Sequence, residues 1–328
     1  MLIVSFPSAA HFAVPFANAL EDCEILEVDG RGYTKRQLFH KITEKIQNHD
    51  FLWFEWGNET TAKALSYRRY RIPTIVRVHD FEIRTGEVKK ICWDRVDAVW
   101  LVNEQARQDF FTIVPPKGLH SFVIPNGVET EIWPIISSGY KHLGMVSEDL
   151  KVRKGYTRAL KFFATLPADW QLTIRSSAQP LAEKQRLEYL ARDFGIEERL
   201  TFEVRDWRPS EILAKEDLIE FWRDKSHVLS TSNREAFQYS VAEAMLCGVA
   251  PALLRWDWGR PEQFYQHIFD SFESLRNWVL TTEPGPCWRS EVEKFDAKVL
   301  AVEVRARLVE VRKRKLQEKR RFSARWWR

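Results

Sequence analysis

Cysteine is scarce in this sequence. Four occur among 328 residues (Cys23, Cys92, Cys247 and Cys287), with no C-x-x-C pair and no histidine beside them at zinc spacing. This excludes a disulfide framework and a zinc site of recognisable spacing, and implies reduced thiols in a cytoplasmic protein. No window approaches eighteen consecutive apolar residues, so no membrane-spanning helix is expected. The opening MLIVSFPSAAHF has no basic n-region and its apolar run breaks at Pro7, which argues against a signal peptide. Internal repeats, low-complexity tracts and a G-x-x-x-x-G-K-[ST] loop are all missing. So is a carboxylate cluster of the Asp-x-Asp kind suited to Mg²⁺ or Mn²⁺, and no metal ligands are assigned.

What is present describes a globular chain long enough for two domains, 45% hydrophobic and 29% charged. The formal net charge of +4 is uneven. From Glu303 to Arg328 there are eleven lysines and arginines against three glutamates, a local net of +8, which leaves the rest of the chain about −4. Such a basic end suits a polyanionic partner, nucleic acid or an anionic membrane surface, or else forms a solvated helix face. Leu300, Val304, Leu308 and Val311 give that segment one apolar stripe, and Phe322, Trp326 and Trp327 interleave aromatics with charge at its end.

Short apolar runs alternate with helical segments along the whole chain. Leu2 to Phe6, Ile25 to Val28, Asp50 to Trp56, Pro73 to Val78, Asp97 to Val102 and Ser121 to Ile124 read as strands, with a polar helix over Lys35 to Asn48. A second series follows at Tyr140 to Val146, Trp170 to Arg175, Leu200 to Val204, the run ending in Ser230, and Val249 to Leu254. This alternation predicts parallel, doubly wound α/β sheets. Glu131 to Ser138, aperiodic and broken by Pro134, reads as the linker. The expected division is therefore 1–133, 139–297 and a basic helix or tail over 298–328.

The most informative stretch is Val228 to Pro251, VLSTSNREAFQYSVAEAMLCGVAP. A strand ends in the polar loop Ser230 to Asn233. Tyr239 to Cys247 then reads as a helix from the spacing of Val241, Ala244 and Met245, and Gly248 stops it. Strand, polar loop and helix N-terminus together form an anion-binding arrangement, because first-turn amides and the helix dipole face the strand ends.

Glu235, Phe237, Glu243-Ala244-Met245, Gly248 and Pro251 resemble in order and spacing the signature of family 4 glycosyltransferases, the retaining, nucleotide-sugar-dependent enzymes of GT-B fold. The resemblance implies two Rossmann-like domains facing a central cleft, with Glu235 on the donor sugar and Glu243 on the ribose. It extends to PTIVRVHD, which ends in His79-Asp80, and to Pro125-Asn126-Gly127-Val128, read as a structural turn at the hinge. It also covers Arg153-Lys154-Gly155, where Lys154 is expected on the donor diphosphate and Arg153 beside it. Glu235, His79 and Lys154 are thus the expected catalytic residues. Arg153, Glu243, Phe237, Gln238, Tyr239, Ser240 and Arg175 are expected to bind donor, together with Ser176 and the Arg205-Asp206-Trp207 loop around the base. His11 and Ser8 belong to the acceptor side.

Three departures stand out. Gln238 replaces the glycine usual after the phenylalanine, Gly144 is followed by Met145 rather than arginine, and Ser8-Ala9-Ala10 occupy a loop that is usually glycine-rich. The implied chemistry is transfer of a sugar with retention, from a nucleotide-diphosphate sugar as substrate and without a cofactor, to a glycan, a lipid-linked or another acceptor. Two alternatives stay open: an enzyme acting on a modified DNA base and docked by the basic tail, and a non-catalytic nucleotide-sugar-binding protein.

Overall fold

The structure, a computed structural model, describes residues 1–328 except 117, 149, 178–180, 206–214 and 326–328. The side chains of Ser8, Ser177, Val204, Arg205 and 319–325 are also outside the description. Of the residues singled out from the sequence, Asp206, Trp207, Trp326 and Trp327 therefore lie outside the described residues, as do the side chains of Ser8, Arg205 and Phe322.

The first unit comprises Met1–Gly127 together with Phe295–Arg328. Its strands are β1 (Leu2–Ser5), β2 (Glu24–Glu27), β3 (Leu52–Glu55), β4 (Thr74–Val78), β5 (Ala98–Leu101) and β6 (His120–Val123). They form one parallel sheet in the order β2-β1-β3-β4-β5-β6. Its early helices are α1 (Val14–Leu20), α2 (Lys35–Lys45), α3 (Glu59–Leu65), α4 (Asp80–Thr85) and α5 (Glu104–Ile113). β1, β3, β4 and β5 are buried along their whole length, the pattern of strands covered on both faces. Side chains start the helices where the sequence supplies them. Thr34 and Gln37 form a reciprocal capping box on α2, and the Asn103 carboxamide accepts the Ala106 N–H at 2.7 Å on α5.

The second unit, Val128–Lys294, repeats the plan. Its strands are β7 (His142–Val146), β8 (Gln171–Ser177), β9 (Leu200–Arg205), β10 (His227–Ser230), β11 (Ala250–Leu254) and β12 (Ile268–Phe269). All are parallel, in the order β12-β11-β10-β7-β8-β9. Helices α6 (Tyr156–Phe163), α7 (Leu181–Asp193), α8 (Lys215–Arg223), α9 (Tyr239–Leu246), α10 (Phe272–Thr281) and α11 (Cys287–Val292) complete it. α9 stops as its sequence predicts: Gly248 takes φ 86°, and its N–H and that of Val249 return to the carbonyls of Met245 and Ala244.

α12 (Ala297–Arg325) belongs to the first unit. Its Leu300, Ala301, Val304, Leu308 and Val311 enter a core with Phe16 of α1 and with Trp53 and Trp100 of the sheet. Lys315 locks the far end, its ammonium donating to the carbonyls of Tyr70 and Ile72 at 3.2 and 2.6 Å and pairing with Asp97 at 2.7 Å. The sequence boundaries at 133/139 and 297/298 thus differ from the structural ones at 127/128 and 294/295. The expected linker is part of the second unit, where Ile136 and Ser137 donate to the Cys247 carbonyl and Ser138 to that of Arg223. No residue near Pro134 announces those backbone bonds.

Candidate active site

In a doubly wound sheet the strand order reverses at one point, and ligands bind outside the carboxyl ends of the strands that flank it. In the second unit that point lies between β7 and β10. The chain leaving β7 runs to Arg153-Lys154-Gly155, and the chain leaving β10 runs to Glu235. The two are stitched together: Asn233 N–H donates to the Arg153 carbonyl at 2.8 Å, the Thr231 hydroxyl to the Gly155 carbonyl at 2.9 Å, and Arg158 to the Asn233 side chain at 2.6 Å.

The side chains converge as a result. Lys154 Nζ donates to Glu235 Oε1 at 2.6 Å, Arg153 Nη1 lies 3.3 Å from both carboxylate oxygens, and the buried Ser232 hydroxyl donates to Oε1 at 3.0 Å. Glycine is required at two places around this cluster. Gly155 has φ 70°, and a Cβ there would sit 1.9 Å from the Thr231 carbonyl oxygen; Gly259 has φ 109°, and a Cβ there would sit 1.7 Å from the carbonyl oxygen of Glu235. Arg234 stacks on Trp258 with its guanidinium carbon 3.9 Å from the ring centroid, which holds the 256–260 loop against this turn.

α9 begins just after the aromatic neighbour of the cluster, Phe237. That ring is buried edge-on against Tyr239 and Phe264, with Tyr265 stacked beyond. Gln238 turns down to the end of β10, where its Oε1 accepts the Ser230 hydroxyl at 2.5 Å. Its carbonyl accepts the Tyr265 hydroxyl at 3.0 Å. The larger residue is thus stored beneath the helix start. The residues that start α9 and α6, Gln238 and Gly155, make no side-chain capping hydrogen bond. Tyr239 and Ser240 form the first turn of α9, and Glu243 follows one turn later.

Glu243 keeps some contact with solvent yet is enclosed by protein, and burial pushes its carboxyl up to about 7, with Lys215 pulling slightly the other way. Among the described residues no donor is hydrogen-bonded to its carboxylate. Arg175 reaches toward Glu203 and α8. Its Nε pairs with Glu203 at 2.8 Å, its Nη1 donates to the Asp217 carbonyl at 2.8 Å, and the Phe221 ring lies 4.6 Å away.

The first unit gathers a second buried group at the ends of β3 and β4. His79 Nε2 lies 2.8 Å from Glu55 Oε1, and Arg77 Nη1 donates to the same carboxylate at 3.2 and 3.4 Å. Arg77 Nη2 donates to Asn126 at 2.6 Å and Nη1 to the Phe12 carbonyl at 3.2 Å. Its guanidinium is boxed by Phe16, Trp53 and Trp100 at 5.1, 5.9 and 4.5 Å. His79 also heads α4, its main-chain N–H donating to Glu82 at 3.2 Å, while Trp56 stacks on its ring at 4.2 Å.

Burial lowers the His79 pKa more than Glu55 raises it, which favours the neutral ring. Burial alone would raise Glu55, but Arg77 and His79 outweigh it and hold the carboxyl below its usual range. Glu82, buried and accepting the N–H groups of Gly57 and His79, is pushed by burial up to about 8. His11 and Ser8 lie in a short 3₁₀ helix after β1, Pro7–Phe12, where a loop was expected; the Ala9 N–H returns to Phe6 and its carbonyl accepts from the Trp56 indole at 3.4 Å. The exposed His11 ring lies against Phe12 at 4.1 Å.

Glu55, Arg77, Glu82, Ser232 and Gly259 have no role assigned to them by sequence pattern alone. Arg77 lay in plain view as a charge inside an apolar strand, TIVRV, where a buried cation requires a buried anion.

No family model matches the sequence, and no curated protein matches it. Solved structures do. HepE of Anabaena, crystallised in complex with UDP, is similar at TM-score 0.70 and 15% identity, over 94% of this chain and 99% of that one. A glycosyltransferase from Rickettsia africae ESF-5 gives TM-score 0.68 at 12% identity over 94% and 98%. The lipopolysaccharide outer core galactosyltransferase WaaB, in its apo form, gives 0.65 at 12% over 93% and 98%. The chain has the GT-B fold of glycosyltransferases, two parallel six-stranded Rossmann-like sheets with flanking helices.

Proposed function

We propose that this protein is a retaining glycosyltransferase that takes its sugar from a nucleotide-diphosphate donor bound at the β7/β10 switch point of the second unit. The supporting observation is the convergence there of Lys154, Arg153 and Glu235, beside two helix N-termini whose own first residues supply no side-chain cap. In the reaction the bond between the anomeric carbon and the diphosphate oxygen breaks. The acceptor hydroxyl forms the new bond from the same face, and its proton leaves with the diphosphate. Charge grows on the departing diphosphate, and Lys154 and Arg153 are the cations placed to stabilise it. Binding a diphosphate draws both away from Glu235, which frees that carboxylate to accept from sugar hydroxyls.

Glu243 fits the ribose, because it is an enclosed carboxylate with an empty bonding capacity and two hydroxyls would fill it. His79 has its Nε2 held by Glu55 and its main-chain N–H by Glu82, so its orienting role falls to the remaining ring edge. The donor is read as a uridine diphosphate sugar, since HepE has been crystallised with UDP and with UDP-glucose. The acceptor is read as polyhydroxylic, in line with TarM in complex with α-GlcNAc-glycerol and UDP.

Titration calorimetry with UDP, GDP and dTDP, followed by a nucleotide-release assay with the matching sugars, tests the reading. Tight binding of one diphosphate with release that depends on an acceptor is expected. Absence of binding to all three overturns it, and binding with no turnover of any sugar leaves a nucleotide-sugar-binding protein instead.

Glu243 adds a pH signature. Accepting two ribose hydroxyls favours the ionised carboxylate, so binding lowers a pKa that stands at about 7 in the free protein. Nucleotide affinity is therefore complete above pH 7 and weakens as the pH falls through 7, by at most about tenfold per unit. The ratio of wild-type to Glu243→Gln dissociation constants for UDP, measured from about pH 6 to 8, isolates this group from the titration of the nucleotide. A ratio that stays flat removes Glu243 from the ribose.

A further inference from the structure

α12 carries two apolar stripes, and its core uses one. On the opposite face Val299, Val302, Val309 and Leu316 are 56, 66, 51 and 50% exposed. Among the described residues they are four of the eleven large apolar side chains that stand exposed, gathered on one helix. Their spacings of three, seven and seven keep them on one line, because seven residues turn a helix back to within about 20° of the start. Ala306 fills the line between Val302 and Val309 and is exposed as well.

Lys298, Arg305, Arg312 and Lys313 are exposed along the same face. Cations outnumber the acids in reach. Glu303 and Glu310 are held by Arg307 at 3.2 and 3.5 Å, and Glu310 also meets Arg314 at 3.8 Å. Glu318 pairs with Arg69 at 3.5 Å, and exposed Asp50 lies 3.5 Å from Arg312. The helix backbone continues to Arg325 through Lys319, Arg320 and Arg321.

We propose that this outer face of α12 is a docking surface for an anionic lipid bilayer. The charge pattern selects the occupant. A water-exposed polyanion such as nucleic acid would meet the cations and leave the valines wet. A second copy of the chain would bury the valines but set Arg305, Arg312 and Lys313 against cations whose nearby acids are already paired. A bilayer with acidic headgroups satisfies both, taking the apolar line at the headgroup boundary while the arginine and lysine stems reach outward to phosphate. The core stripe and the Lys315 clamp fix the helix to the first sheet, so the outer face is presented ready-made. The inference is independent of the donor chemistry.

The test uses the full chain and sedimentation with vesicles of phosphatidylcholine, alone or with about 30% phosphatidylglycerol. The wild type should bind the mixed vesicles and not the neutral ones, and release should follow at roughly 0.5 M salt. Val302→Asp/Val309→Asp and, separately, Arg312→Glu/Lys313→Glu should each lower partitioning about tenfold or more with an unchanged melting temperature, since all four positions are exposed. Failure of the wild type to bind anionic vesicles overturns the proposal. So does binding that the valine pair leaves unchanged, which would mark a polyanion site without lipid insertion. A dimer that the valine pair converts to monomer, with no vesicle binding, overturns it too and assigns the face to a second copy.

Discussion

Lys154→Ala is expected to lower turnover about 10²- to 10³-fold, the loss seen when one positioned group that stabilises transition-state charge is removed. The fold should hold, because Glu235 keeps Arg153 and the Ser232 hydroxyl after the lysine has gone. Both members of the pair are largely enclosed, at 14 and 8% side-chain exposure, and the partners that Glu235 retains should keep the stability cost within about 1–3 kcal/mol. Glu235→Ala should cost turnover by a similar factor but with a different signature. It leaves Lys154 and Arg153 without their carboxylate, so affinity for a nucleoside diphosphate should hold or rise while kcat falls. Lys154→Ala should weaken that affinity. Steady-state kinetics with an established donor, together with calorimetry of the diphosphate, reads both. Turnover within about threefold of wild type in either variant contradicts the placement of charge stabilisation here.

The second large effect lies in the first unit. Arg77 and Glu55 are both fully buried, and Glu55→Ala leaves a guanidinium enclosed by Phe16, Trp53 and Trp100 with only Asn126 and the Phe12 carbonyl to satisfy it. Breaking one side of such a pair costs about 3–5 kcal/mol, most of it the penalty of an unpaired buried charge. The same change releases His79 Nε2, so the loss should concentrate in the unfolding of the first unit. Glu55→Gln keeps an acceptor and should cost markedly less. Denaturant unfolding followed through Trp53, Trp56 and Trp100 would report it, with the two units fitted separately. A loss below about 1 kcal/mol for Glu55→Ala would mean that water or the neighbouring acceptors compensate the arginine.

The fold was readable because parallel strands buried on both faces appear as short, continuous apolar runs, and helices between them begin at Thr34, Asn103 and other capping residues. Glu235, Lys154 and Glu243 were singled out by their resemblance to a family signature, beside a strand, a polar loop and a helix start that turn backbone amides toward one place. Gln238 stands where the family usually has glycine, and only the structure shows that the Ser230 hydroxyl at the end of β10 draws its side chain beneath the helix start.

The sequence by itself determined the strand and helix segments of the two doubly wound sheets and the α9 stop at Gly248, because each of these is set by residues close together in the chain. Tertiary structure decided the rest. It brought Lys154 to Glu235 across 81 positions and Asn126 to Arg77 across 49, and it placed Gly259 behind a carbonyl that leaves no room for a side chain. It also chose which stripe of α12 faces the core. Leu300, Val304, Leu308 and Val311 and the outer valines are both periodic, and the aromatic surface of Phe16, Trp53 and Trp100, together with the carbonyls that receive Lys315, selects between them. Periodicity within a helix records that a face is apolar, while the partner that covers it comes from residues far away in the chain.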